Sequence, residues 1–334
     1  MWPGFTVRFY GPGAIPPNRV QTIRGAGTMS RKKYKAQQLA FNRLTHLYIT
    51  RFRDDESMTQ TRPPSLSTAQ GDAAVDPVHA WDAHNARLAS HLQHEALESM
   101  DTLPLLRWAT DTFNAGRIVL NTSFQYSGVA MIHMAVEAGL QLRYATIDTL
   151  RLHPETYAFL RQLEERYSID IEVQRPDTEQ LQGMVRRFGE YLFFDSKTLQ
   201  EYCCQIRKVK PNERLLTTVD CWISGMRRDQ SDHRRDTPKA MTVSEYGSRR
   251  QILKLNPMAD WGEDRMLDFI RDNDIPRHPL YDQGYKSIGC FICSTPVSDA
   301  EDQRAGRWRW FNSDDRIDPQ EAKECGLHIP MYNI

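Results

Sequence analysis

The sequence predicts an α/β fold with a parallel sheet covered on both faces, and three observations carry that expectation. Short β-branched runs alternate with amphipathic stretches from about residue 78 onward. The 334 residues, 40% of them hydrophobic, are enough for one large packed domain or two small ones. Polar turns rich in hydroxyl, amide or acidic side chains stand at the ends of the runs, where ligands bind in open α/β sheets.

Residues 79–93 and 96–114 place Leu88, Leu92, Leu103, Leu106, Trp108 and Phe113 at helical spacing. Residues 117–121 (RIVLN) are a β-branched run and predict the first strand. Residues 122–128 form a polar turn, and 129–138 (VAMIHMAVEA) predict a buried helix. A second strand is expected over 142–147, ending at Asp148. Pro154 suits the first turn of a helix, which continues over 155–167. Residues 169–173 predict a third strand and 177–189 a further helix. Two more strands are expected at 219–224 (VDCWIS) and 252–255, and an amphipathic helix at 262–273. Beyond Thr295 the pattern dissolves into charge, Gly and Trp. That stretch reads as a tail that packs against the body or moves, and not as a core element.

The domain division expected is a leader over 1–78, a globular domain over 79–298 and a tail over 299–334. Residues 1–53 hold ten Lys and Arg and no Asp or Glu. Such a segment reads as a disordered leader, a transit peptide or an upstream start, with Met58 opening a more ordinary Ser/Thr/Pro-rich stretch. Over the whole chain 43 basic residues balance 43 acidic ones, which argues against nucleic-acid or membrane binding driven by net charge. No run of about 18 apolar residues exists to span a bilayer. Six cysteines without an apolar signal core point to metal binding or catalysis in a cytoplasmic setting, not to a disulfide scaffold.

All six cysteines follow residue 200: the vicinal Cys203-Cys204, a lone Cys221, Cys290-x-x-Cys293, and Cys325 on a polar tail. Cys221 lies in an apolar run and reads as packing. The other pairs suit four metal ligands, and the spacing leaves iron–sulfur and tetrahedral zinc equally open. Cys325, flanked by Lys323 and Glu324 and followed by Gly326 and His328, is suited to a reactive thiol or is an incidental tail cysteine. Asn121-Thr122-Ser123-Phe124-Gln125-Tyr126-Ser127-Gly128 precedes a helix N-terminus, whose N–H groups suit phosphate, although it matches neither GxxxxGK[ST] nor GxGxxG.

A longer ordered series joins these features: Ser123-Phe124; Asp148-Thr149 with Arg151-Leu152-His153-Pro154-Glu155-Thr156-Tyr157; Cys203-Cys204-x-Ile206-Arg207-Lys208; and Trp222-Ile223-Ser224-Gly225-Met226-Arg227-Arg228-Asp229-Gln230-Ser231. Lys254-Leu255-Asn256-Pro257, Gly284-Tyr285-x-Ser287-Ile288-Gly289-Cys290-x-x-Cys293, Arg304-Ala305-Gly306-Arg307-Trp308 and Lys323-Glu324-Cys325-Gly326-Leu327-His328 complete it. The series, over about 85–328, resembles the assimilatory adenylyl-sulfate reductases, the cluster-bearing branch of the phosphoadenylyl-sulfate reductase family. The resemblance implies a doubly wound, mostly parallel, adenine-nucleotide α-hydrolase-like domain with a mobile C-terminal tail. It implies a 4Fe–4S cluster on Cys203, Cys204, Cys290 and Cys293, with Cys325 as the nucleophile that forms an S-sulfocysteine. For substrate binding it points to Ser123, Phe124, Gln125, Asp148, Arg151, Lys208, Gly225, Arg227, Arg228, Arg304, Arg307 and His328. The reaction it implies converts adenylyl sulfate to sulfite and AMP, for cysteine biosynthesis, with thioredoxin or glutaredoxin as electron donor; a homo-oligomer is left open.

Two departures fall in the nucleotide pocket. Leu150 replaces the Gly of the family's Asp-Thr-Gly-Arg loop, and Gln125-Tyr126-Ser127-Gly128 replaces small and acidic residues. The rival enzymes are a reductase of the 3′-phosphorylated nucleotide and a nucleotide-dependent thiolation enzyme. From another class, the rival is a non-catalytic zinc or cluster module that senses redox state.

Overall fold

The computed structural model describes residues 81–94, 96–245 and 247–312. The expected leader, and within the tail Cys325 and His328, lie outside the described residues. Six strands form one sheet in the order β3-β2-β1-β4-β6-β5: β1 (Ile118–Asn121), β2 (Arg143–Ile147), β3 (Ile171–Gln174), β4 (Cys221–Ser224), β5 (Ala240–Ser244) and β6 (Gln251–Leu255). All neighbours run parallel except β5, which pairs antiparallel with β6 at the edge. The order turns back at β1 and β4, so the carboxyl ends of those strands open a crevice of the kind that receives ligands.

The central strands β1 and β4 are apolar up to their last residues, Asn121 and Ser224, because both faces are covered. Alternate residues of β1 divide between two cores. Ile118 and Leu120 pack with Val129, Ile132, Cys221, Ile223, Leu253 and Leu255. Val119 packs on the other face with Trp222, Leu215, Leu216 and Ile252. The helices are α1 (Asp82–His94), α2 (Thr102–Thr112), α3 (Tyr126–Glu137), α4 (Pro154–Tyr167), α5 (Thr178–Phe188), α6 (Lys197–Cys204), α7 (Lys210–Leu216), α8 (Glu263–Asp272) and α9 (Arg309–Asn312). Pro154 does open α4, and Asp177 caps α5 by accepting the Gln180 N–H at 2.9 Å. Cys221 is fully buried at the head of β4, and burial pushes its thiol up, as packing requires.

Three elements depart from expectation. The edge strand β5 has every residue half-buried, so its short AMTVS run carries no pattern of a core strand. The unassigned stretch 197–216 is α6, a π-helical turn (Gln205–Val209) and α7. The wider turn and Pro211 interrupt the 3.6-residue period by which a helix is read. The start of the tail is in the core: Trp308, Trp310 and Phe311 are buried, and the Trp310 indole donates to the Phe193 carbonyl at 3.1 Å. Three aromatic residues within four positions outweigh the local charge.

Candidate active site

The carboxyl end of β1 leads through a tight turn into α3. Phe124 adopts φ +58° and its N–H donates to Thr122 Oγ1 at 2.9 Å. Gly128 admits that hydroxyl, since a Cβ there would lie 2.1 Å from it. The turn after β2 bends at Leu150, at φ +57°, with the Leu150 N–H donating to Asp148 Oδ1 at 2.8 Å. A left-handed residue is wanted there, and the glycine expected at that position would adopt it without a Cβ penalty.

These turns border a cavity of about 370 Å³, within the range of ligand pockets. Of the expected substrate residues, Ser123, Phe124, Gln125, Lys208, Gly225, Arg227, Arg304 and Arg307 line it. Its basic side chains are Lys208, Arg227, Arg234, Arg277, Lys286, Arg304 and Arg307, against the carboxylates of Glu263 and Asp299 among the described residues. That balance suits a ligand with more than one negative charge.

Three expected substrate residues lie elsewhere. Asp148 is buried beneath the β2 turn, and its carboxylate accepts from the Leu150 N–H, the Tyr157 hydroxyl at 2.8 Å and Arg175 Nε at 3.1 Å. It organises the turn and does not line the cavity. Arg228 points away, donating to the Thr237 carbonyl at 2.9 Å and pairing with Glu98. Arg151 is buried on the far side of the turn, where its guanidinium donates to the Glu190 carbonyl at 2.6 Å and lies 5.0 Å over the Phe193 ring. At the α3 N-terminus the Tyr126 N–H donates to the Tyr281 hydroxyl at 3.2 Å, and the two rings stack at 3.8 Å. The cavity's cations are suited to meet an oxyanion.

Arg151 instead borders a second, small cavity of about 20 Å³, lined by all four expected ligands, Cys203, Cys204, Cys290 and Cys293. The end of α6 brings Cys203 and Cys204. The Cys290–Cys293 turn, in which Cys293 N–H donates to the Cys290 carbonyl at 2.9 Å, brings the other two. Burial pushes the Cys203 and Cys293 thiols up, and for Cys293 the other three sulfurs add to the effect. Arg207, opposite, is pushed down by burial and then by the Arg151 charge, and is pulled up by the thiols.

The surroundings fit an anionic, sulfur-rich group. Gln200 Nε2 donates to Cys204 Sγ at 3.2 Å, and Thr149 Oγ1 lies 3.1 Å from Cys290 Sγ. Arg207 Nε and Trp308 Nε1, on residues lining this cavity, are buried N–H groups with no hydrogen-bond partner among the described residues. No three His, Cys, Asp or Glu side chains among the described residues are disposed to hold a metal ion.

The two cavities share a wall made by Thr149, Lys208, Cys290 and Arg307, which line both. The π-helical turn places Arg207 and Lys208 there, and Arg207 Nη1 donates to the Thr149 carbonyl at 2.9 Å. Sequence reasoning missed Thr149, Arg234, Arg277 and the Tyr126–Tyr281 stack as lining. A second basic group after Arg227-Arg228 was a signal for Arg234; for the stack there was none, because its partners are 155 residues apart.

Residues 117–296 match the phosphoadenosine phosphosulfate reductase domain. An adenosine 5'-phosphosulfate reductase of Allochromatium vinosum is 34% identical over 271 residues, covering 81% of this chain and 91% of that protein. One from Rhizobium tropici is 38% identical over 183 residues, 55% of this chain and 96% of that protein. A phosphoadenylyl-sulfate reductase from Candida auris, solved as a phosphate complex, shares the fold, with a TM-score of 0.50 at 24% identity over 68% of this chain and all of that one. On the domain match and on identity sustained over most of its relatives' lengths, the chain belongs to the phosphoadenosine phosphosulfate reductase family, whose enzymes are oxidoreductases acting on sulfur groups.

Proposed function

We propose that the protein reduces adenylyl sulfate to sulfite and AMP, with a thioredoxin-like dithiol as electron donor. The observation that carries this reading is the shared wall: a cationic cavity of nucleotide size meets a four-thiol cavity across Thr149, Lys208, Cys290 and Arg307. The names of the relatives support adenylyl sulfate as the nucleotide.

Cys203, Cys204, Cys290 and Cys293 would hold a 4Fe–4S cluster. When bound, the cluster would organise the shared wall and set its field, without changing oxidation state. Lys208, Arg227, Arg304 and Arg307 would hold the phosphate and sulfate oxygens, Arg forks being suited to such oxyanions. The Cys325 thiolate attacks the sulfate sulfur, a new S–S bond forms, and the bond from that sulfur to the AMP oxygen breaks. AMP leaves with the electron pair, and Cys325 carries an S-sulfo group. A dithiol then attacks Cys325 Sγ and releases sulfite. Its second thiol frees Cys325, and the donor leaves as a disulfide. His328 would take part in binding the substrate.

The test is anaerobic purification with iron and sulfide counts, then turnover of adenylyl sulfate with thioredoxin. Expected are about four irons per chain, as the cluster's formula requires, sulfite release, and loss of turnover in Cys325→Ser with the chromophore kept. Retained turnover in Cys325→Ser overturns the mechanism. Preference for the 3′-phosphorylated nucleotide in the same assay overturns the substrate.

A further inference from the structure

We propose that Gln230 is a positioning residue that fixes Arg227 and Arg234 in the arrangement an oxyanion requires. The inference rests on the reading of the larger cavity as the nucleotide site. After β4 the chain leaves the sheet through Gly225 and makes two tight 3₁₀ turns, Arg228–Gln230 and Asp232–Arg234. Gln230 lies where the turns meet, and Gln230, Arg227 and Arg234 all line the cavity. Its Oε1 accepts the Arg227 backbone N–H at 3.2 Å and Nη1–H of Arg234 at 2.5 Å. Both neighbours are donors, so the amide oxygen must face them, and its two lone pairs are used.

The same loop holds the Arg227 side chain. Asp229 accepts its Nε and Nη2 at 2.9 and 3.0 Å, and Nη1 donates to Ser127 Oγ at 3.3 Å. Arg227 and Arg234 are both buried. Gln230 is thus the group that ties the backbone carrying the first guanidinium to the second. Asp229 already pairs with Arg227, and an amide at 230 adds no second negative charge between the cations. A carboxylate would make the same bonds but would offset the charge offered to the ligand. Ala and Met offer no strong acceptor, so the Arg234 guanidinium would lose this anchor.

The experiment measures binding of AMP and of adenosine to full-length wild type, Gln230→Ala and Gln230→Met. Met keeps the volume should Ala disturb folding. Expected is AMP binding weakened about tenfold in both variants, the scale of a lost hydrogen bond to a charged group, with adenosine binding unchanged. A structural role alone would weaken both ligands together. That outcome, or unchanged AMP affinity in both variants, overturns the inference. A wild type that binds neither ligand overturns the nucleotide reading itself, and this inference with it.

Discussion

Gly289 precedes the cysteine that faces both cavities, and the Arg307 guanidinium lies against it. A Cβ at 289 would sit 2.3 Å from Nη1, 2.6 Å from Nη2 and 2.7 Å from Cζ, where ordinary contact begins at 3.4 Å. In Gly289→Ala the guanidinium must therefore retreat by about 1 Å. The clashing atoms end a long side chain bordered by two cavities, so the retreat is available. We expect the folding cost to fall at the low end of overpacking, about 1 kcal/mol. Function is more exposed, because misplacing a binding group by about 1 Å costs about 100-fold in rate. That factor corresponds to about 2.7 kcal/mol of transition-state stabilisation. The two magnitudes differ enough to be separated. Sulfite release gives kcat/KM, and urea unfolding of the same preparations gives stability. A variant that turns over within a few-fold of wild type, or one whose lost activity tracks lost stability, refutes the reasoning.

Cys290→Ser should lower iron and acid-labile sulfide together, as counted colorimetrically, because it removes one of the four sulfurs and the Thr149 contact. Burial alone would raise the Asp220 carboxyl, but hydrogen bonds from Arg117 and Arg250, and then their charges, hold it at about 2. The folded value lies below the unfolded one, so the stabilisation is complete above about pH 4 and is lost as pH falls towards 2. Asp220→Asn should accordingly cost about 1 kcal/mol at pH 6, after allowance for solvent screening, and the gap in urea unfolding should close on acidification. Leu150→Gly should leave stability level or raise it by up to about 1 kcal/mol, since relief of the left-handed strain exceeds or matches the added chain entropy. Leu150→Val should lower it, read by thermal melting.

The parallel sheet was legible because its strands are apolar, β-branched and bounded by turns that suit them. Val119, Trp222 and Ile252 face one layer of helices while Ile118, Leu120 and Ile223 face the other, and either face alone would have read as a strand. The edge strand β5 was not legible, because no residue of Ala240–Ser244 is fully buried and its partner β6 supplies the register. The stretch 197–216 hid for a different reason: the π-helical turn shifts the helix face partway along, so no single period describes it. That shift puts Arg207 and Lys208 beside the vicinal cysteines, and it is part of the site.

Neighbouring motif residues need not share a task, and the β2 turn shows why. Asp148, Thr149 and Arg151 stand within four positions, and the sequence offers no means of telling them apart. The left-handed bend at Leu150 separates them: Asp148 turns inward to Tyr157 and Arg175, Thr149 stands in the shared wall, and Arg151 crosses to the cysteine side. Conversely, the wall itself joins Thr149, Lys208, Cys290 and Arg307 from four distant segments. Each was visible only as a residue type within its own motif. The tertiary return of the Cys290–Cys293 turn and the Arg307–Trp308 segment to the sheet makes them one surface. A cation placed between a nucleotide-sized cavity and four thiols acts on both, so substitutions at Lys208 or Arg307 should alter nucleotide binding and the thiol cavity together, whereas Arg227, which lines the larger cavity alone, should alter only the first.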